Sequence, residues 1–217
     1  MKPLSRVVWH EGMHLAQHHF QAQNRYFENT INFALANLFH KTYGVAGVEL
    51  DADALRNGTV SLIHARGVMP DGLAFHFPED DPPPAPREIK DLFSPTQDSH
   101  EVMLAIPPYR ADQANSDMGG ARSARYLTEA QLVWDETTGR DEKPVSVGRK
   151  NFRILLDSEV KDDVVSLPLA RIRRDGTGHF AYDAEYVPPI LQIGASPQLL
   201  QMLARLVEIL DAKGESI

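Results

Sequence analysis

A chain of 217 residues that is 42% hydrophobic can build one substantial core, or one domain and part of another. Its 30 acidic residues against 22 basic ones leave a formal net charge of -8, which argues against a general nucleic-acid or anionic-membrane surface. There is no cysteine, so disulfides, thiolate nucleophiles and Cys-ligated zinc are excluded, and any metal must be held by His, Asp or Glu. The N-terminus leads into only a short apolar run broken by His10 and Glu11, which is no signal peptide. No stretch approaches the ~20 apolar residues that span a bilayer. A soluble cytoplasmic protein is the expectation.

Val7 to Trp9 reads as an extended lead-in and Gly12 as a bend. From about His14 the pattern turns helical, with Leu15, Phe20, Phe27, Ile31, Ala34, Leu35 and Leu38 recurring at steps of three, four and seven. The helix should end near Phe39–His40, because Tyr43-Gly44-Val45 opens a strand-like pattern. Val45 to Leu50, Thr59 to Met69 and Leu73 to Phe77 then read as consecutive antiparallel strands, with Asn57-Gly58 and Asp71-Gly72 as tight turns. The proline-rich, acidic Pro78 to Pro86 predicts an extended surface loop, since prolines cannot donate to a ladder.

Val102 to Ile106 reads as a strand stopped by Pro107-Pro108. A polar loop ending in Met118-Gly119-Gly120 follows. Ala124 to Asp135 and Val145 to Asp157 flank a hairpin turn at Thr137 to Asp141. Val164 to Arg173 and His179 to Asp183 flank another at Asp175 to Gly178. Tyr186-Val187-Pro188-Pro189 breaks the β pattern and marks the boundary, giving a domain over 1–187 and a linker with a helix over 188–217. In that helix Ser196 is the N-cap, Pro197 the first helical residue, and Leu199, Leu200, Leu203, Leu206, Val207 and Leu210 make a broad apolar stripe. Such a terminal helix has little left to pack against. The chain is therefore expected to be the N-terminal part of a larger protein. No repeat of fixed period is present.

The stretch Arg6 to Phe27 concentrates the candidate chemistry. His10-Glu11-Gly12-Met13-His14 matches the His-Glu-x-x-His spacing of zinc hydrolases, in which two histidines one helical turn apart hold the ion and the glutamate activates water. Against it, Gly12 inside a helix costs ~1 kcal/mol relative to alanine, the pentad lies at the very start of the helical pattern, and no third carboxylate ligand follows on a helix. Solvated or capping histidines are the plainer reading. His18 and His19 point ~100° apart on a helix, so they do not join His14 on one face. No serine has a Gly-x-Ser-x-Gly context, the acids Asp135, Glu136, Asp141 and Glu142 read as a solvated turn, no phosphate-binding glycine loop is present, and no cofactor is expected. A carbohydrate-binding sandwich is a third class that rests on fold analogy alone.

Val8-Trp9, Glu11-Gly12-Met13, Leu15, Gln17-His18-His19-Phe20-Gln21 and Arg25-Tyr26 together resemble the N-terminal signature of TssK, the trimeric baseplate subunits of bacterial type VI secretion systems. The family pattern runs Trp-x-Glu-Gly-Met-x-Leu-x-Pro-Gln-His-Phe-Gln, and this chain departs from it at Ala16, Gln17 and His18. The similarity continues through Pro107-Pro108, Leu169-Ala170-Arg171-Ile172, Gly178-His179-Phe180, Tyr186 to Leu191 and Ala195 to Leu199. It implies a mainly β shoulder domain, a sandwich like that of phage receptor-binding proteins, with the N-terminal amphipathic helix and then the start of an α-helical neck. By resemblance the protein is no enzyme. It would form a homotrimer that attaches through the shoulder to the TssF–TssG wedge and, through a C-terminal part not present, to the membrane complex at the cytoplasmic face of the inner membrane. No nucleic acid or small-molecule substrate is implied. Val8, Trp9, Glu11, Met13, Leu15 and Phe20 are the candidate interface residues, and Leu199, Leu203, Leu206 and Leu210 the candidate neck contacts. The alternative is the zinc hydrolase with His10 and His14 as ligands and Glu11 as base.

Overall fold

The computed structural model describes residues 5–94, 96–117 and 123–214, so the expected Met118 to Gly120 loop lies outside them. The chain divides into two compact units, Met1–Thr42 and Tyr43–Ile217. In the first, an extended lead-in reaches a β-turn closed by the Met13 N–H donating to the His10 carbonyl at 3.4 Å. Gly12 sits in the third position of that turn at φ +77, which favours glycine. Helix α1 spans Gln17–Leu38. It begins three residues later than periodicity suggests, because Ala16 is extended at φ -124 and ψ 156. None of its 22 residues is buried.

The second unit is a β-sandwich. Strands β1 (Gly44–Leu50), β3 (Leu62–Val68) and β4 (Ala74–Phe77) form one antiparallel sheet in the order β1-β3-β4. The other sheet, also antiparallel, has the order β10-β6-β11-β12, from β6 (Ser99–Ile106), β10 (Arg153–Leu156), β11 (Val165–Arg174) and β12 (Phe180–Tyr182). The period of two along each strand fills the space between them. Val45, Leu62, Ala65, Phe75 and Phe77 from one sheet meet Val102, Leu104, Ile106, Ile154, Leu156, Leu167 and Ile172 from the other. Phe152 packs edge-on to both Phe75 and Phe77 and closes the core between β10 and β4.

Between β1 and β3 the structure places a short helix, α2 (Ala52–Arg56), and the two-residue strand β2 (Thr59–Val60), which pairs with β5 (Arg87–Glu88). Asp51 caps α2 by accepting from the Asp53 and Ala54 N–H groups at 2.9 and 2.8 Å. The expected strand over Val145 to Asp157 is split. Its first part belongs to β9 (Arg140–Lys150) and its second to β10, with Asn151 and Phe152 turning the chain between sheets. β9 and β8 (Tyr126–Asp135) form a long hairpin, and β7 (Ser116–Asp117) runs parallel to the start of β8. The proline-rich segment is fastened to the body, since Asp81 is buried and its carboxylate accepts from Lys150 Nζ at 2.8 Å. Helix α3 (Pro197–Gly214) ends the chain. Among the described residues no helix is long and apolar enough to cross a membrane.

Candidate assembly surfaces

The pentad His10 to His14 lacks the geometry that zinc hydrolysis needs. It straddles the β-turn ahead of α1, so His10 and His14 do not share one helical face and Glu11 lies in the turn. The His10 Nδ1 instead faces the Glu11 carbonyl at 3.1 Å. The hydrolase alternative is corrected on this ground. His19 acts locally, as its Nδ1 accepts from the Ala16 N–H at 3.1 Å and replaces the glutamate of an ordinary capping box at the third helical position.

Trp9 stands between that helix start and solvent. Its ring centroid lies 6.1 Å from those of both His19 and Phe20, and 47% of the residue remains exposed. Val8, Leu15 and Phe20 are exposed as well, Met13 is half-buried and Glu11 is exposed. The structure thus brings Trp9 and Phe20 together, while Val8 and Leu15 present bare apolar surface. Phe20, Phe27, Ile31, Leu35 and Leu38 fall within a narrow arc of α1 at 100° per residue and are all exposed.

Helix α3 repeats this. Ser196 Oγ accepts from the Leu199 N–H at 3.4 Å, capping the helix ahead of Pro197 as the sequence suggests. Leu199, Leu203, Leu206 and Leu210 step by four, three and four, the spacing of a coiled-coil seam. Leu200, Met202, Val207 and Ile209 widen it on both sides, and every described residue past Leu199 is exposed. A stripe this wide suits a helix with more than one neighbour, whereas a two-stranded seam needs only the central row.

The link to α3 is fixed to the sandwich. The Val45 N–H donates to the Pro189 carbonyl at 2.8 Å, and the Leu191 N–H donates to the Val45 carbonyl at 2.9 Å, so the segment runs parallel along the edge of β1. Gln192 Nε2 adds a bond to the Ala46 carbonyl at 2.7 Å. This approach requires Gly44, at φ +141, where a Cβ would stand 2.6 Å from the Pro189 oxygen. On the outer face of β11, Asp183 receives Arg173 at 2.7 Å and Arg171 at 3.7 Å. Burial pushes its carboxyl up, but the Glu185 N–H and the two guanidiniums outweigh this and hold it below the ordinary value. Burial and the nearby Glu101 carboxylate push the Tyr186 phenol up to about 12, with the Arg171 guanidinium 4.7 Å from its ring. These contacts tie the chain to β11 where it leaves the last strand.

Sequence reasoning passes over the tip of the β8–β9 hairpin. Leu132, opposite Pro144, and Trp134, at the break in register between Val133 and Asp135, are both exposed. The signal that points to it is the second tryptophan, three residues before a predicted turn.

Fold and surfaces together define a class: a chain with one β-sandwich and two long helices whose apolar stripes are exposed. The family model described as "Bacterial Type VI secretion, VC_A0110, EvfL, ImpJ, VasE" matches residues 19–217, and the chain belongs to that family. It is 31% identical over 217 residues to the type VI secretion system baseplate component TssK1 of Pseudomonas aeruginosa strain PAO1, covering 98% of this chain and 48% of the relative. It therefore spans about half the length of that curated relative. A crystal structure of TssK superposes with a TM-score of 0.84 at 28% identity, over 98% of this chain and 48% of that one. A chain of a TssK–TssF–TssG baseplate subcomplex gives 0.88 at 24% identity, over 98% and 71%, and shows the same fold.

Proposed function

We propose that this chain is the shoulder of a type VI secretion baseplate subunit, extending over residues 1–187, followed over 188–217 by a linker and the first helix of a neck. It acts without catalysis, as one arm of a homotrimer. The shoulder holds a TssF–TssG wedge in the cytoplasm, and a C-terminal part outside this sequence reaches the membrane complex. Val8, Trp9, Glu11, Met13, Leu15 and Phe20 serve the wedge contact, and Leu199, Leu203, Leu206 and Leu210 the threefold contact. The observation that carries this reading is the pair of uncovered apolar helices on a sandwich whose likeness to TssK runs the length of the chain. Contiguous exposed apolar surface of this kind marks an interaction site, and a helix bundle about a threefold axis would cover α3.

Co-purification of the chain with wedge proteins tests it. Trp9→Ala should reduce capture of the wedge at least tenfold while the far-ultraviolet circular dichroism and the melting temperature of the sandwich stay unchanged. Undiminished capture by the folded variant would remove Trp9 from the contact.

A further inference from the structure

We infer that the outer face of the β1-β3-β4 sheet carries a binding site for a first-row divalent cation of the zinc type, held by His64, His76 and Glu79. His64 lies on β3 and His76 on β4, where Arg66 is the direct partner of His76, so the two histidines are diagonal neighbours on one face. Their neighbours Ala65, Phe75 and Phe77 point into the core, which fixes both imidazoles outward on rigid strands. Glu79 follows in the turn after β4. That turn is tied back by the Asp80 and Asp81 N–H groups, which donate to the His76 carbonyl at 3.1 and 2.9 Å.

The donor atoms already stand as a cation would need them. One ligand atom from each of the three residues lies within 4.8 Å of the others. His64 Nε2 is 3.7 Å and His76 Nε2 3.1 Å from the Glu79 carboxylate oxygens. The imidazole centroids are 5.8 Å apart and nearly perpendicular. Two imidazoles sharing a tetrahedral ion at 2.0–2.1 Å place their centroids roughly 5 Å apart. Only small side-chain rotations separate the two arrangements.

A second observation points the same way. His76 Nδ1 lies 2.9 Å from Asp80 Oδ2. A carboxylate holding the far nitrogen of an imidazole turns the Nε2 lone pair toward the near side, and this is the arrangement that orients metal-ligating histidines. In the tautomer that donates Nδ1–H to Asp80, His76 offers its Nε2 lone pair on the side of the Glu79 carboxylate, 3.1 Å away, where a cation can be shared between them. Two imidazole nitrogens and one carboxylate oxygen, with solvent reaching the fourth position, form a donor set that zinc accepts. Bound there, the ion would clip the β3–β4 hairpin to the start of the proline-rich segment.

The test is titration of tag-free, chelator-treated chain with zinc chloride, followed by calorimetry and elemental analysis. We expect one ion per chain. His64→Ala and His76→Ala should each abolish it, and Asp80→Asn, which removes no ligand, should weaken it ~10–100-fold. Zinc should also raise the melting temperature of the wild-type chain and leave that of His76→Ala unmoved. The paired change His14→Ala and His18→Ala should leave uptake intact. Two results would overturn the site: no stoichiometric uptake, meaning that a proton alone joins His76 and Glu79, or uptake that survives loss of both His64 and His76. Asp80→Asn keeps all three donors on the strands and turn, so it decides the matter even if a histidine variant folds poorly.

Discussion

Strand β6 and helix α1 are both rich in apolar residues, and they spend them differently. β6 buries five of its eight residues, the last three in succession, whereas α1 buries none of its 22. α3 likewise has no buried residue. The sandwich is complete without either helix, because its two sheets face each other and α2, Phe93 and Phe152 fill the remaining gaps. Hydrophobicity at the centre of the chain stabilises the fold, while that of the two long helices stays exposed. Mutations that are costly in one region should be nearly silent in the other.

The largest effect should come from Leu104→Ala in β6. Leu104 is fully buried between the sheets, so truncation loses transfer free energy and leaves a cavity, at about 2–5 kcal/mol. In a domain of this size that lowers the melting temperature by roughly 2–4 °C per kcal/mol. Scanning calorimetry reads it directly. Next is Gly44→Ala, which places a methyl 2.6 Å from the Pro189 oxygen in a backbone region that alanine rarely adopts. A cost of about 1–3 kcal/mol is expected, with faster proteolysis around Pro188–Leu191 as the linker leaves the edge of β1. A stability loss with an unchanged cleavage pattern would show that the linker holds by other bonds.

Alkaline titration probes the same junction. The folded Tyr186 pKa of about 12 lies above the ordinary phenol value of 10.0. Its contribution to stability is therefore full below the unfolded value and lost as pH rises through the folded one. Between pH 10 and 12 the wild-type chain should lose stability more steeply than Tyr186→Phe, by denaturant titration at each pH. A smaller effect, of opposite sign, is expected at the start of α1. Gln17 is its first helical residue and Ala16 before it is already extended, the two conditions under which proline is accepted. Gln17→Pro restores the residue of the family pattern. It should stabilise α1 by ~0.4–1 kcal/mol through the unfolded state, measurable as slower amide exchange in its first turns.

Much of this architecture is legible in the residues. Alternation locates most strands, and Asp71-Gly72 and Asp175 to Gly178 locate their hairpins, because local turn chemistry decides such features. Helix α2 escapes, since five residues give periodicity no room, although Asp51 followed by Ala-Asp-Ala-Leu-Arg and Asn57-Gly58 carries its capping signals. The split at Asn151–Phe152 escapes because strand-like composition continues across it. Sheet order is beyond reach, as the pairing of β6 with β10 and β11 is set by packing between distant segments. In the pentad, Gly12 is the clue that a turn and not a helix joins His10 to His14. His64, His76 and Glu79 are invisible as a set, because only strand register brings the two histidines together.

The weakest effect on stability should accompany the strongest effect on assembly. Leu203→Gln with Leu210→Gln alters two exposed positions on the seam of α3, and glutamine is nearly as good a helix former as leucine. Stability of the monomeric sandwich should change by less than about 0.5 kcal/mol. On the proposed threefold contact, sedimentation should nonetheless show less self-association of the variant than of the wild-type chain, because the pair removes exposed apolar area from the seam. Unfolding of the variant sandwich would mean that α3 belongs to the core after all. An intact sandwich that no longer self-associates would place the boundary between folding and assembly at the linker that Gly44 holds.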